Sequence, residues 1–401
     1  MNKIRDILKR NMNKIKDILK RNMRQYAMLI AFIFLMVMFQ ILTDGILLKP
    51  INVSRLILQN SYILILAIGM VLCILTGGNI DLSVGSIVAL VSASSALLSV
   101  TLGLPVILSI LLALMLGLLA GMWQGFWIAY VKIPAFIVTL AGMLVFRGIN
   151  NLILSGQTIL LPDLYVTIAS GVIPDFIGGE GGLHVTTVVV GIICSILYIV
   201  AEYGRRKNKM KYDFEMSSFP LFIGKVAAIV LVINLFTYWL ALADGLPYVL
   251  ILLAVLIMIY SFITTKTTAG RHIYALGGNA TAAALSGIKT KQVLFWVYAN
   301  MGLLAAVAGI VFAGRLNSAA PTAGQGFELD AIAACFIGGA SATGGVGTVI
   351  GAIIGGFIMG ILNNGMSIMG VSTFWQSIVK GMVLLLAVAF DVYSKSKSKT
   401  S

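Results

Sequence analysis

Charge is what this sequence has least of. Only 10% of its 401 residues are Asp, Glu, Lys or Arg, against 59% hydrophobic residues, and the mean hydropathy is +1.02. A soluble domain carries charge on roughly a quarter of its residues, so a water-soluble fold is excluded and the chain reads as a polytopic membrane protein. Histidine is almost absent. His184 and His272 both fall outside the apolar runs, so no series of acids and histidines crosses the membrane and a proton relay lacks its parts. Cys73, Cys194 and Cys335 have neither metal-ligand nor disulfide spacing and read as small apolar residues within apolar runs. A phosphate-binding G-x-x-x-x-G-K-[ST] is missing: Gly224-Lys225 is followed by Val226 inside an apolar run. H-E-x-x-H and G-x-S-x-G are missing too. These absences leave no catalytic constellation, no metal site and no ATP hydrolysis by this chain. The net charge of +14 would suggest nucleic acid in a soluble domain, but basic clusters at the ends of apolar runs are topology signals first.

What is present is apolar length. At about twenty residues per span, runs near 26–43, 58–76, 83–101, 106–130, 134–153, 185–202, 218–241, 246–264, 293–313, 328–341, 347–364 and 374–391 predict an all-α protein of about twelve (10–12) transmembrane helices. The run near 328–341 is short and rich in Gly and Ala, which suits a broken or re-entrant element. Twelve spans place both termini on one side. Of the 28 Lys and Arg residues, 22 fall in segments on that side: before residue 26, at Lys132, across 205–211, across 265–292 and in the tail. Only Lys49, Arg55 and Arg315 fall on the other, so the basic side is cytoplasmic. The membrane domain covers 26–393, between a basic segment, 1–25, and a basic tail, 394–401.

The chain opens with a direct repeat, MNKIRDILKRN at 1–11 and MNKIKDILKRN at 12–22. Its apolar residues recur at i, i+3 and i+4, giving one stripe along a basic helix. Such a helix suits the inner membrane surface, where anionic lipid attracts Lys and Arg. A tandem duplication without a role of its own is the alternative.

Two glycine-rich joints share a pattern. Gly77-Gly78 leads into Val84-Gly85-Ser86-Ile87-Val88, and Gly338-Gly339 leads through Gly344-Gly345 into Val346-Gly347-Thr348-Val349-Ile350. Both joints fall at inner helix ends, which suggests two parallel structural repeats. Beyond the second joint Gly347, Gly351 and Gly355 are four apart, as on one helix face, with Gly356 and Gly360 as a further pair. Small residues at that spacing let backbones approach closely, in a helix pair or a subunit interface. Asp81, Arg147, Lys225, Asp330 and Lys380 lie in or near spans, and each reads either as functional or as a capping or snorkelling residue. The outer loop 155–182, with Asp163, Asp175 and Glu180, either receives a partner protein or merely connects helices.

The interruption at 265–292, TKTTAGRHIYALGGNATAAALSGIKTKQ, reads as a cytoplasmic docking surface or as a plain connector. Gly277-Gly278 predicts a turn, Asn279 a helix N-cap, 280–286 a helix of about two turns and Gly287 the left-handed position after it. Ala282, Ala283 and Ala284 are then offered to a partner.

GGNIDLSVGS, FRGI at 146–149, AGRHIYALGGNATAAALSGIKTKQV and RLNSAAPTAGQGFELDAIAACFIGGASATGGVGTVIGA at 315–352 resemble the membrane permease subunit of bacterial ABC importers for simple sugars, in the ribose, xylose and galactose branch. The resemblance runs from about 50 to 393. An extra pair of spans between about 203 and 245, entered through RRKNKMKYDFE, resembles the longer xylose or multiple-sugar permeases. The doubled N-terminal segment departs from the family pattern.

The resemblance implies a multi-pass protein of the bacterial cytoplasmic membrane that works with a second permease copy, cytosolic ATPase subunits that use ATP-Mg, and an extracytoplasmic sugar-binding protein. It assigns ATPase coupling to Gly270, Arg271, Gly277, Gly278, Asn279, Ala283, Ser286 and Gly287. Asn79, Gln124, Asn150, Asn363, Asn364 and Gln376 are candidates for a sugar pathway because buried amides need partners, although helix-to-helix hydrogen bonding is the simpler role for each. An ion-coupled secondary sugar transporter is the alternative, disfavoured by the lack of an intramembrane acid cluster. The sugar itself is not legible.

Overall fold

A computed structural model of the chain describes residues 23–178, 182–212 and 218–399. The N-terminal repeat at 1–22 and Glu180 lie outside the described residues. Helix follows helix: α1 (Met23–Leu42), α2 (Pro50–Leu75), α3 (Val84–Ala96, continued as a π-helix over Leu97–Thr101), α4 (Val106–Phe126, continued likewise over Trp127–Val131) and α5 (Ala135–Leu154). A two-residue strand β1 (Ile159–Leu160) and α6 (Asp163–Ser170) precede α7 (Val185–Lys211), α8 (Phe219–Ala241) and α9 (Tyr248–Lys266). Then come α10 (Thr268–Gly278), α11 (Ala280–Leu285), α12 (Thr290–Leu316), β2 (Ser318–Ala319), α13 (Phe327–Ile337), α14 (Val349–Ile368) and α15 (Thr373–Lys399). Helix starts follow local chemistry: Pro50 occupies the first turn of α2, while Pro105, Pro134 and Pro247 immediately precede α4, α5 and α9.

Among the described residues nine helices are long and apolar enough to cross a membrane, and apolar stretches at 28–42 and 373–389 add two shorter ones. That lies within the expected 10–12; the run near 328–341 is not a full span, because α13 has only 11 residues. It rises about 16 Å, roughly half of a ~30 Å hydrocarbon core, so the segment marked as broken or re-entrant is a half-helix.

The helices alternate between two ends of the bundle. One end carries α6 and the ribbon in which β1 and β2 pair antiparallel, Ile159 opposite Ala319. There the Trp239 indole donates to the Leu48 carbonyl at 2.7 Å and the His184 amide to the Ala241 carbonyl at 3.1 Å. The other end carries α10 and α11. Both described ends of the chain reach it: Met28 lies against Gly339, and the Asp391 carboxylate accepts from the Ala342 amide at 3.3 Å.

Helix α2 is the axis. Its most apolar stretch is 83% buried, whereas that of α8 is 0% buried. Helices α7 and α8 form a peripheral hairpin that closes on itself: Asn234 donates to Ser195 at 2.7 Å, Gly191 admits Thr237, and Lys225 pairs with Glu202 at 2.6 Å. This corrects the placement of the extra pair. The hairpin occupies 185–241, and Arg205 to Lys211 form the last turns of its first helix instead of an entrance to it.

Close backbone packing does occur, at two seams. Gly351 and Gly355 face the Gly338 and Ala334 carbonyls of α13, so that seam joins two helices of this chain. Gly347 is not part of the helical row: it has φ +148° and precedes α14, whose N-cap is Thr348, with Oγ1 accepting from the Gly351 amide at 2.9 Å. The second seam sets Gly117, Gly121 and Gly125 of α4 against 295–306 of α12. Their four-residue spacing is the signal for this seam in the sequence.

Candidate functional site

At the α10 end, three glycine pairs from distant parts of the chain converge. Helix α2 ends at Leu75 and the chain passes through Gly77-Gly78, both at positive φ (+122° and +76°). The second joint passes through Gly344-Gly345, also at positive φ (+80° and +72°). Positive φ at these four positions suits glycine, which has no Cβ to clash there. A Cβ on Gly344 would overlap the Gly77 backbone, and one on Gly78 would overlap the Ala342 carbonyl. Into this contact comes the end of α10: a Cβ on Gly277 would overlap the Leu75 carbonyl and the Gly345 amide. The Gly345 amide donates to the Leu75 carbonyl at 3.0 Å, and the Tyr274 hydroxyl donates to the Gly347 carbonyl at 2.7 Å.

The interruption therefore holds two helices where one was expected. Gly277-Gly278 is not a free turn. Both residues end α10, whose start is fixed by Thr267, with Oγ1 accepting from the Gly270 amide at 3.3 Å. Gly270 sits against the Ile263 and Thr264 carbonyls, where a side chain would not fit, so α10 folds back tightly from α9. Asn279 does cap α11, its Oδ1 accepting from the Ala282 amide at 2.9 Å. Gly287 does take positive φ (+83°), and the Ser286 hydroxyl donates to the Ala282 carbonyl at 2.9 Å. Ala282 and Ala284 are exposed, but Ala283 is turned inward with 4% exposure. The outward face of α11 is completed by Leu285, 86% exposed. Arg271 is exposed on α10.

The two joints lie at the same end, as their shared pattern predicts, yet the pentapeptides meet their helices differently. Val84-Gly85-Ser86 is the first turn of α3, whereas Val346-Gly347-Thr348 precedes α14. From the first joint the chain climbs to a fully buried Asp81, whose Oδ1 accepts from the Ser83 amide (2.9 Å) and hydroxyl (2.6 Å). This is a local turn leading into α3. From the opposite end the segment after β2 descends until Gly324 abuts Gly85, so α3 and α13 both begin inside the bundle.

The candidate pathway amides do not gather at one place. Asn79 donates to Thr76 Oγ1 within the first joint at 3.1 Å. Gln124, fully buried, donates to Ser83 Oγ at 2.5 Å and links α4 to the start of α3. Asn150 donates to the Pro321 carbonyl at 3.2 Å, beside Arg147, which holds the Ala323 carbonyl. Asn364 exchanges hydrogen bonds with Asn52 (2.9 and 3.3 Å), and Gln376 donates to the Val371 carbonyl at 2.9 Å. Asn363 is half-buried. Gln124, Asn150 and Arg147 all hold the two interrupted elements, whereas Asn364 and Gln376 hold the end remote from α10. Asp330 and Lys380 pair at 3.0 Å, and Asp81 has no ion pair among the described residues. The acids of the outer loop are structural where described: Asp163 opens α6, and Asp175 accepts from the Val185 and Thr186 amides of α7 at 2.9 and 3.1 Å. Tyr274 gives no sign of a junction role in the sequence, and the contacts of Gly344 and Gly345 with Gly77 and Gly277 emerge only across the fold.

A bundle of membrane-length helices, interrupted at two buried joints that touch a helical hook on its surface, is the architecture of a multi-pass membrane protein. The chain belongs to the family described as "Branched-chain amino acid transport system / permease component", whose model matches residues 52–388. It is similar to the Xylose transport system permease protein XylH of Haemophilus influenzae, 41% identical over 373 residues, with 93% of this chain and 97% of that protein covered. It is likewise similar to XylH of Escherichia coli K12 (42% identical, 93% of each chain) and to the Ribose import permease protein RbsC of Bacillus subtilis (37% identical, 90% of each chain). No solved structure matches the chain.

Proposed function

We propose that this chain is the permease subunit of an ATP-binding cassette importer that carries xylose, or a closely related monosaccharide, across the bacterial cytoplasmic membrane. The observation that carries the reading is the likeness to the xylose permeases over nearly the whole of both chains. The chain is a transport component, and ATP-Mg is bound and hydrolysed by separate ATPase subunits. Two permease copies form the translocation path, and an extracytoplasmic binding protein delivers the sugar. The excess of Lys and Arg at the α10 end supports a cytoplasmic location for α10, α11 and both termini.

In this reading α11 is the part the ATPase grips. Its displacement reaches the joints without any intervening side chain, because Gly277 touches Leu75 and Gly345 directly. The test is uptake of labelled xylose by cells that lack their own xylose permease and express this chain with its cognate ATPase and binding protein. Uptake that collapses on ATP depletion and survives an uncoupler at constant ATP supports the reading. Uptake that follows the ion gradient instead makes the protein a secondary transporter, and uptake of ribose without xylose corrects the sugar alone.

A further inference from the structure

A cleft of about 550 Å³ opens between α9 and α12 at the α10 end. Leu72, Ile263, Ile273, Val293 and Val297 wall it, and the Tyr260 hydroxyl closes its deep end by donating to Asn300 Oδ1. His272, Lys289 and Gln292 stand at its mouth, and Trp296 lines one edge, 60% exposed. From Lys289 to Asn300 helix α12 rises about 16 Å. That is roughly half of a ~30 Å hydrocarbon core, so the cleft is one leaflet deep. An apolar slot of this depth with an aromatic edge and a cationic mouth matches one half of a bilayer lipid.

Charge selects the kind of lipid. Residues 245–327 contain no Asp or Glu. Lys266, Arg271, Lys289 and Lys291 make no ion pair among the described residues. Cations at the end of a membrane bundle, with no protein carboxylate to meet them, favour an anionic headgroup. We propose that the cleft is a binding site for an acidic phospholipid, with one acyl chain between α9 and α12 and the phosphate at Lys289 and His272. The site needs only that the chain spans a membrane. It is independent of the transported sugar.

The experiment uses the full-length protein in mild detergent with phosphatidylglycerol or phosphatidylcholine, read by native mass spectrometry. The wild type retains phosphatidylglycerol in preference to phosphatidylcholine. Lys289→Gln lowers retention of the acidic lipid about five-fold, the equivalent of about 1 kcal/mol per basic residue near a membrane surface, and leaves the neutral lipid unchanged. Val293→Trp fills the slot and removes the preference; if that variant is not monodisperse, Lys289→Gln and His272→Gln decide between them. Equal retention of the two lipids, or acidic-lipid retention indifferent to Lys289 and His272, overturns the proposal. So does loss of the lipid when the ATPase subunit binds, which would make the cleft part of the protein docking surface.

Discussion

The amide of Gly345 donates to the carbonyl of Leu75 across 3.0 Å, joining two interruptions separated by most of the chain. Helix α10 touches this bond from the side through Gly277, whereas a Cβ added at its neighbour Gly278 would meet nothing within 4 Å. Gly277→Ala is expected to abolish or sharply reduce transport, because a methyl overlaps backbone on both sides and overpacking costs about 1–3 kcal/mol. Gly278→Ala should transport normally. The check is uptake normalised to membrane abundance, and equal uptake by the two variants removes the junction from the coupling route.

A second expectation concerns the α13–α14 seam. Gly351→Leu should destabilise the purified protein by several degrees in thermal unfolding, since the side chain falls on the Gly338 carbonyl. Its neighbour Ala352 is 1% exposed, so enlarging it strains the core as well. Ile350, 56% exposed, is the proper neighbour. Ile350→Ala should leave the unfolding temperature within about a degree.

Lys380 and Asp330 pair inside the bundle, with Asp330 6% exposed. Lys380→Met strands a buried carboxylate and should cost about 3–5 kcal/mol, while replacing both partners by apolar residues recovers most of that loss. Denaturation of the single and double variants in the same detergent measures it. An additive double variant would show that the pair is not coupled.

The loop before α7 offers a dependence on pH. Hydrogen bonds from the Thr186 hydroxyl, and then from the backbone amides of Gly178, Thr186 and Ile177, hold the Asp175 carboxyl well below its usual range. A depressed folded pKa gives an anchor fully present above the ordinary carboxylate pKa of about 4 and lost only as pH falls below it. Hydrogen exchange at 176–178 and 185–187 should stay slow through pH 5. Asp175→Asn should speed it at neutral pH, and an unchanged rate would leave the anchoring role unsupported.

Much of the helical scaffold was legible because apolar runs and their punctuating prolines report helix ends directly: 106–130 and 134–153 became α4 and α5 within a residue or so. Asn279 and Gly287 were legible for the same local reason, a cap and a left-handed turn. Facing was not. A helix apolar on all sides carries no stripe to say which neighbour it meets, so the contacts of the six candidate amides are not legible, and Ala283, expected to face a partner, turns inward. The charge of the RRKNKMK run marks an entrance to the spans after it, yet the run continues α7 as helix.

The α7–α8 hairpin has a practical consequence. Its bonds, from Asn234 to Ser195 and from Lys225 to Glu202, are internal to the pair, and little of it enters the core. It is a handle on the molecule: a fluorophore on Ile196 or Leu231, whose side chains are 53% and 68% exposed on the two helices, would report on the hairpin without entering the core.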